Sequence, residues 1–121
     1  MDLNLKDKTA LVCGSTQGIG KAAATELALL GANVILLARN EDKLREAVAS
    51  LDTKAGQSHK YLVADYSEPN QLKTKVESLV RSSDPIHILV NNTGGPPGGL
   101  IINAKTEEFQ AAFSNHLICN H

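Results

Sequence analysis

The chain has 121 residues, 42% of them hydrophobic and 21% charged, a composition typical of one soluble globular domain. Twelve basic and thirteen acidic residues leave a formal net charge of −1, so the charge favours neither nucleic acid nor an anionic membrane as a partner. No apolar run reaches the roughly 18 residues that cross a bilayer, no signal peptide is evident, and Cys13 and Cys119 lack metal-binding or C-x-x-C spacing. We therefore expect a cytoplasmic protein with no metal site and no disulfide framework.

Short apolar runs alternate with longer helix-forming segments along the chain. The apolar runs predict four buried strands, at residues 9–13, 33–38, 59–64 and 86–90. The segments between and after them predict helices at residues 21–30, 41 to about 55, 68 to about 82, and from 106 to the C-terminus. The glycines and prolines of residues 91–100 predict a loop. The predicted order is therefore β-α-β-α-β-α-β-loop-α.

Particular residues mark where these helices begin and end. Gly31 is expected to end the first helix, since glycine commonly follows the last helical residue. Asn40 is expected to cap the second helix and Gly56 to end it. Ser67 is expected to cap the third, with Pro69 in its first turn.

Buried strands that alternate with amphipathic helices predict a parallel sheet covered on both faces. Right-handed crossovers then give the strand order 3-2-1-4. The fold class is α/β, a Rossmann-type doubly wound sheet. The order reverses between strands 1 and 4, and ligands of such sheets bind at the carboxyl ends of the strands beside that point.

The segment Gly14-x-x-x-Gly18-x-Gly20 follows the first strand and opens the first helix. Gly14 allows a tight turn, Gly18 allows backbone to approach a diphosphate, and Gly20 lets the helix pack closely on the sheet. The amides and the positive dipole end of the helix suit phosphate groups. A glycine-rich turn without a ligand is the alternative, and the position within a β-α-β unit favours dinucleotide binding.

The second strand ends in Ala38-Arg39. Proteins that prefer NAD carry an acidic residue at this strand tip for the adenosine ribose, and Ala38 has no carboxylate. The guanidinium of Arg39 can pair with a 2′-phosphate, which favours NADP as the cofactor. The alternative is that Arg39 is a solvated surface residue.

The third and fourth strands also end in polar residues. Asp65 is placed to accept a hydrogen bond from an adenine amino group, although a turn or helix-capping Asp would look the same. The segment Asn91-Asn92-Thr93-Gly94 offers amide side chains that could bridge loops or hold a cofactor ribose. By itself this segment also fits an ordinary turn.

Taken in order, these motifs resemble the short-chain dehydrogenase/reductase family over essentially the whole chain. The segment Asn92-Thr93-Gly94 departs from the family's usual Asn-Ala-Gly at one position, where Thr93 replaces the alanine. The resemblance implies a cofactor site formed by Gly14, Ser15, Thr16, Gly18, Ile19, Gly20, Arg39, Asp65, Asn91 and Gly94. It also places Asn115 where the family has the helix Asn of its catalytic tetrad, which holds a water in a proton relay. An ordinary polar helix residue is the alternative for Asn115.

By the same resemblance, hydride transfer requires a Ser and a Tyr-x-x-x-Lys pair. Tyr61 is followed four residues later by Asp65, and Tyr66 by Asn70, so neither tyrosine fits. Family members are about twice as long. We therefore expect a truncated NADP-binding domain over residues 1–121, whose fourth strand is an unpaired apolar edge that favours association into a homo-oligomer.

The predicted function is NADP(H)-dependent oxidoreduction of a small-molecule ketone or alcohol, with a 3-oxoacyl thioester as a generic candidate substrate. The loop at residues 94–99 either shapes a substrate pocket or is a plain connector. A non-catalytic nucleotide-binding or interaction module that dimerises through its sheet edge is the alternative. A flavodoxin-like or methyltransferase-like protein is disfavoured, because neither needs this glycine spacing together with the Asn-rich strand tip.

Overall fold

A computed structural model describes residues 3–121 and has an α/β fold. Its four strands are β1 (Thr9–Cys13), β2 (Asn33–Ala38), β3 (Lys60–Val63) and β4 (Ile88–Val90). Its four α-helices are α1 (Gly18–Leu29), α2 (Glu41–Ala49), α3 (Pro69–Ser82) and α4 (Thr106–His116). Two short 3₁₀ turns flank α4, at Ile101–Asn103 and Ile118–Asn120.

The strands form one parallel sheet in the order β3-β2-β1-β4. The strand order reverses direction at β1, where Ala10 pairs with Val34 of β2 on one side and with Ile88 of β4 on the other. This order confirms the predicted Rossmann-type sheet. In a sheet with this order, ligands bind in a crevice at the carboxyl ends of the strands beside β1 and β4.

Hydrophobic side chains pack on both faces of the sheet, as expected for a parallel sheet covered by helices. On one face, strand residues such as Val12 and Leu36 pack with buried residues of α1 and α2 that include Ala24 and Leu44. The other face is covered by α3 through Leu72. The small alanines of α1 let this helix approach the sheet closely, which fixes its N-terminus beside the end of β1.

Helix α2 is shorter than predicted, ending at Ala49 rather than near residue 55. Ser50 closes it with a hydroxyl that donates to the Ala47 carbonyl at 2.7 Å, and Leu51 then turns into the core. Gly56, expected to end the helix, instead has a φ of +82° in a separate turn, where its amide donates to Thr53. Burial of Leu51 explains why the helix stops early.

The starts of two other helices also differ from the prediction. Helix α1 begins at Gly18, three residues earlier than expected, with Gln17 as its N-cap residue. Glu68, not Ser67, is the N-cap residue of α3, and neither residue's side chain caps the helix. Pro69 accounts for this start, because its fixed φ is already helical and its missing amide would have no partner in the first turn.

Two histidines lie just outside strands that were predicted to include residues 59 and 86–87. The Nδ1 atom of His59 accepts a hydrogen bond from the Val34 amide, and Nδ1 of His87 accepts one from the Thr9 amide, each at 3.1 Å. In each case an imidazole satisfies a strand amide where the ladder ends. These imidazoles therefore satisfy backbone amides at the amino ends of the strands, which is the edge of the sheet away from the crevice.

Strand β4 and helix α4 are poorly covered by the rest of the described chain. Leu89 on β4 is 56% exposed, and α4 has no buried residue. Phe109 and Phe113 of α4 are likewise more than half exposed. Within residues 3–121, no helix combines the length and apolar character needed to cross a membrane.

Candidate functional site

A cleft of about 450 Å³ opens at the carboxyl ends of the strands. Its walls come from the turn after β1, the junction of β2 with α2, the segment after β3, the loop after β4, and helix α4. The residues that line it are Gly14, Thr16, Gln17, Gly18, Ala38, Arg39, Asn40, Lys43, Asp65, Tyr66, Ser67, Asn92, Thr93, Gly94, Gly95 and Asn115. The cleft therefore brings together residues from all four strand ends.

The glycines of the first turn have distinct steric roles. Gly14 and Gly18 have φ values of +57° and +56°, which L side chains rarely adopt. A Cβ atom at Gly14 would also lie 2.6 Å from Nδ2 of Asn92, whereas one at Gly18 would meet nothing within 4 Å. Gly18 therefore leaves open space where α1 begins, and the backbone of the turn borders the cleft.

Asn92 joins the ends of β1 and β4. Its Nδ2 donates to the carbonyl of Gly14 at 3.2 Å and to that of Cys13 at 3.4 Å. Asn91, the neighbour predicted to bind the cofactor, is exposed and is not part of the lining. Of these two neighbouring asparagines, Asn92 is therefore the one that lines the cleft.

Three further predicted residues also lie outside the lining. Ser15 is fully buried, and its hydroxyl donates to the Leu37 carbonyl at 3.4 Å. Ile19 is 79% exposed to solvent. Gly20 is buried beneath the turn, where a Cβ atom would lie 2.2 Å from the Gly14 carbonyl oxygen. Ser15 and Gly20 thus shape the turn from below, while Gly14, Thr16 and Gly18 border the cleft.

Two cations lie at the start of α2. Arg39 was predicted to be here, whereas Lys43 was not. The signal for Lys43 was its spacing, because a residue in the first turn of a helix that follows a strand tip lies close to that tip. Asp65 is the only carboxylate among the lining residues. This part of the cleft therefore carries more positive than negative charge.

Asp65 forms a turn and also borders the cleft. One carboxylate oxygen accepts the Ser67 amide at 2.9 Å and so forms a turn, while the residue also lines the cleft. The hydrogen bonds from Ser67 hold the pKa of Asp65 below its ordinary value, and the charge of Arg39 adds to this effect against the opposing effect of burial. Asp65 is therefore ionised near neutral pH.

Tyr66 lines the cleft and packs with Cys13 and Cys119 in the hydrophobic cluster beneath it. Burial raises the pKa of the Tyr66 phenol and of the Cys13 thiol above their ordinary values. Cys119 donates from Sγ to the Tyr66 carbonyl at 2.8 Å, and its pKa is also raised by burial. All three groups stay protonated near neutral pH, so neither cysteine has the character of a nucleophilic thiolate.

Helix α4 supplies Asn115 to the cleft. A hydrogen bond between Oγ1 of Thr93 and Nδ1 of His116 ties this helix to the loop after β4. The start of α4 is stabilised by Glu108, whose carboxylate accepts the Lys105 amide at 2.7 Å. These contacts place Asn115 at the end of the cleft formed by the Asn92–Gly95 loop.

A family model described as short chain dehydrogenase matches residues 8–118. The chain belongs to the short-chain dehydrogenase/reductase family. It is 37% identical over 108 residues to the 7alpha-hydroxysteroid dehydrogenase of Clostridium sardiniense, an alignment that covers 87% of this chain and 41% of that protein. The family resemblance drawn from the motifs is thus confirmed, and with it membership of a family of oxidoreductases.

Solved structures of short-chain dehydrogenase/reductase proteins share this fold. L-sorbose reductase from Gluconobacter frateurii, complexed with NADPH and L-sorbose, is 34% identical with a TM-score of 0.87 over 99% of this chain and 46% of its own. A metagenomic short-chain oxidoreductase in complex with NADP is 31% identical with a TM-score of 0.83, over 95% of this chain and 52% of its own. The chain spans between 26% and 42% of the length of eight curated relatives that it matches.

Within residues 3–121, no group of three or more His, Cys, Asp or Glu side chains is arranged to hold a metal ion. The short-chain dehydrogenase/reductase cleft instead offers backbone amides, glycines, two cations and amide side chains. These groups suit a phosphorylated nucleotide.

Proposed function

We propose that this chain is the NADP(H)-binding half of an oxidoreductase that moves a hydride between nicotinamide and a ketone or alcohol. The observation that carries the proposal is the single cleft that joins the start of α1 to Arg39. This cleft offers the free amides of a helix N-terminus at the turn after β1 and a guanidinium at the tip of β2. A dinucleotide with a diphosphate at its centre and a further phosphate on its adenosine ribose matches both groups.

The diphosphate is assigned to the turn between β1 and α1. The first amides of a helix have no partner within the helix and carry the positive end of its dipole. Gly18 leaves its side of the turn open, since no atom lies within 4 Å of where its Cβ would be. Thr16 adds a hydroxyl to the same part of the lining. This turn therefore fits the phosphates of the cofactor.

The adenosine end is assigned to the tips of β2 and β3. Ala38 occupies the strand tip where a carboxylate would favour NAD, and Arg39 follows it in the lining. A guanidinium pairs with a phosphate in a two-bond fork, so we assign NADP(H) rather than NAD(H). Asp65 is assigned to the adenine amino group. The NADPH and NADP complexes of the two structural relatives support the same choice.

The nicotinamide end is assigned to the loop after β4 and to helix α4. When bound there, the cofactor supplies or accepts the hydride. Gly94 and Asn115 line this end of the cleft. Asn115 is assigned the positioning of a water in a proton relay, as the family resemblance implies.

The chain by itself is proposed to be inactive as a reductase. A proton donor for a carbonyl oxygen needs a pKa near the working pH. Tyr61 and Tyr66 each lack a Lys four residues later, and burial raises the pKa of Tyr66 further from neutrality. With NADPH and a ketone, we therefore expect no ketone-dependent NADPH oxidation by the purified chain, and a measurable rate would contradict this part of the proposal.

Titration of the chain with NADPH and with NADH, followed by reduced-nicotinamide fluorescence, tests the cofactor assignment. NADPH should bind more tightly, and Arg39→Ala should remove most of the preference. Arg81→Ala changes an exposed arginine outside the cleft and serves as the control. Equal affinity for the two cofactors would overturn the choice of NADP(H), and no binding of either would overturn the nucleotide site itself.

A second candidate function is that of a nucleotide-binding module that associates through its sheet edge without catalysing a reaction. The exposure of Leu89 on β4 favours it, because an apolar edge strand readily pairs with another chain. Analytical ultracentrifugation should then detect a concentration-dependent homo-oligomer that Leu89→Lys dissociates. A monomer at all concentrations would contradict this candidate.

A further inference from the structure

The first turn of α2 carries both acidic and basic side chains. Glu41, Asp42, Lys43 and Arg45 lie within five consecutive residues. Only Lys43 among them lines the cleft. Of these charged residues, Lys43 therefore borders the cleft, and the other three lie outside its lining.

Specific contacts hold Glu41 away from the cleft. Its Oε1 atom accepts the Tyr61 hydroxyl at 3.0 Å and lies 3.4 Å from Nη2 of Arg45. Arg45 also pairs with Asp42 at 3.7 Å. The two acidic residues of this turn are thus engaged by partners outside the lining.

The cations on the cleft side have no such partners. Within the described part of the chain, neither Arg39 nor Lys43 lies within ion-pair distance of a carboxylate. Lys43 is held by its backbone, whose amide donates to Oδ1 of Asn40 at 2.9 Å. Asp65 is the only acid in the lining, and one of its oxygens is bound to the Ser67 amide. Two unpaired cations that share a cleft attract an anion more strongly than either does alone.

We propose that Lys43 is a second specificity-determining residue, which binds the 2′-phosphate of the adenosine ribose together with Arg39. The assignment rests on the proposed nucleotide function. Arg39 supplies a planar fork for two phosphate oxygens, and Lys43 adds a point charge on a flexible stem. A phosphate monoester with close to two negative charges near neutral pH matches the two cations.

Calorimetric titration with two nucleotide fragments tests Lys43 without requiring catalysis. The probes are 2′,5′-ADP and 5′-AMP, which differ only in the 2′-phosphate. Lys43→Met removes the charge and keeps most of the side-chain length, whereas Lys43→Arg keeps the charge. Lys73→Met makes the same change in net charge at an exposed position of α3 outside the cleft and is the matched control.

We expect Lys43→Met to weaken 2′,5′-ADP binding about fivefold, by an amount that shrinks at higher salt, with 5′-AMP binding unchanged. Lys43→Arg should keep most of the affinity, and Lys73→Met should match the wild type. Equal losses for both probes, or equal affinities of Lys43→Met and Lys73→Met for 2′,5′-ADP, would overturn the role of Lys43. If the unmodified chain binds 5′-AMP and 2′,5′-ADP equally well, the NADP assignment fails. If it binds neither, the nucleotide site and the role of Lys43 fail together.

Discussion

Gly20 packs directly against the Gly14 carbonyl, which lies 2.2 Å from where a Cβ atom at Gly20 would be. The contact is between two backbone segments, so neither side can move without distorting the turn or the helix. Gly18, two residues earlier, has a left-handed φ of +56°, which a side chain would strain, but open space around it. The two glycines are therefore required for different physical reasons.

We expect Gly20→Ala to destabilise the fold by more than about 2 kcal/mol, because the added methyl group forces the turn off α1. Gly18→Ala should cost only about 1 kcal/mol, the ordinary penalty for a left-handed backbone with a side chain. Urea unfolding of both variants measures the difference. Equal losses of unfolding free energy in the two variants would contradict the claim that the Gly14–Gly20 contact leaves no room for a side chain.

Asn92→Ala should loosen the junction between β1 and β4 by about 1 kcal/mol, since it removes the hydrogen bonds to Cys13 and Gly14. Asn91→Ala, which truncates the exposed neighbour, should leave stability nearly unchanged. Thermal unfolding compares the two variants. A larger effect at Asn91 would reverse the assignment of which asparagine faces the cleft.

The acid limb of the stability profile should depend on Asp65. Its folded-state pKa lies below the ordinary value, so the ionised carboxylate stabilises the fold at pH values above the unfolded pKa, and this contribution is lost as the pH falls through the folded pKa. Asp65→Asn cannot titrate and should lose less stability between about pH 6 and about pH 2.5 than the parent chain.

Chemical unfolding at a series of pH values measures this profile. Asp84→Asn, at an exposed position outside the cleft, should keep the full acid-dependent loss. An acid limb for Asp65→Asn that coincides with the parent's would contradict the proposed contribution of the Ser67 and Arg39 interactions.

His59→Ala should destabilise the fold by about 1 to 3 kcal/mol. The substitution leaves the amide of Val34, a fully buried residue, without the Nδ1 acceptor, and it removes the contact of Nε2 with the Asp52 carbonyl at 2.8 Å. His121→Ala, at an exposed position, is the control for general effects of losing an imidazole. Hydrogen exchange at the Val34 amide would report the loss locally, and unchanged protection there would refute the interpretation.

Much of the architecture follows from local pattern. Apolar runs of strand length, helix-forming segments between them and the spacing of Gly14, Gly18 and Gly20 predicted the parallel sheet, its strand order and the turn that borders the cleft. These features are readable because each depends on neighbours in the chain: periodicity, backbone freedom at glycine and the right-handed crossover. Arg39 and Asp65 could be found in the same way, since parallel strands bring their carboxyl ends together.

Only the tertiary structure decided which side chains of these segments face the cleft. Helix α2 ends early because Leu51 is buried, and Asn92 rather than Asn91 reaches the β1 carbonyls. Lys43 lines the cleft together with Arg39, whereas Glu41 is hydrogen-bonded to Tyr61 of β3, outside the cleft. Such outcomes depend on contacts between residues distant in sequence, where burial and hydrogen bonding compete, and a local pattern carries no information about those partners.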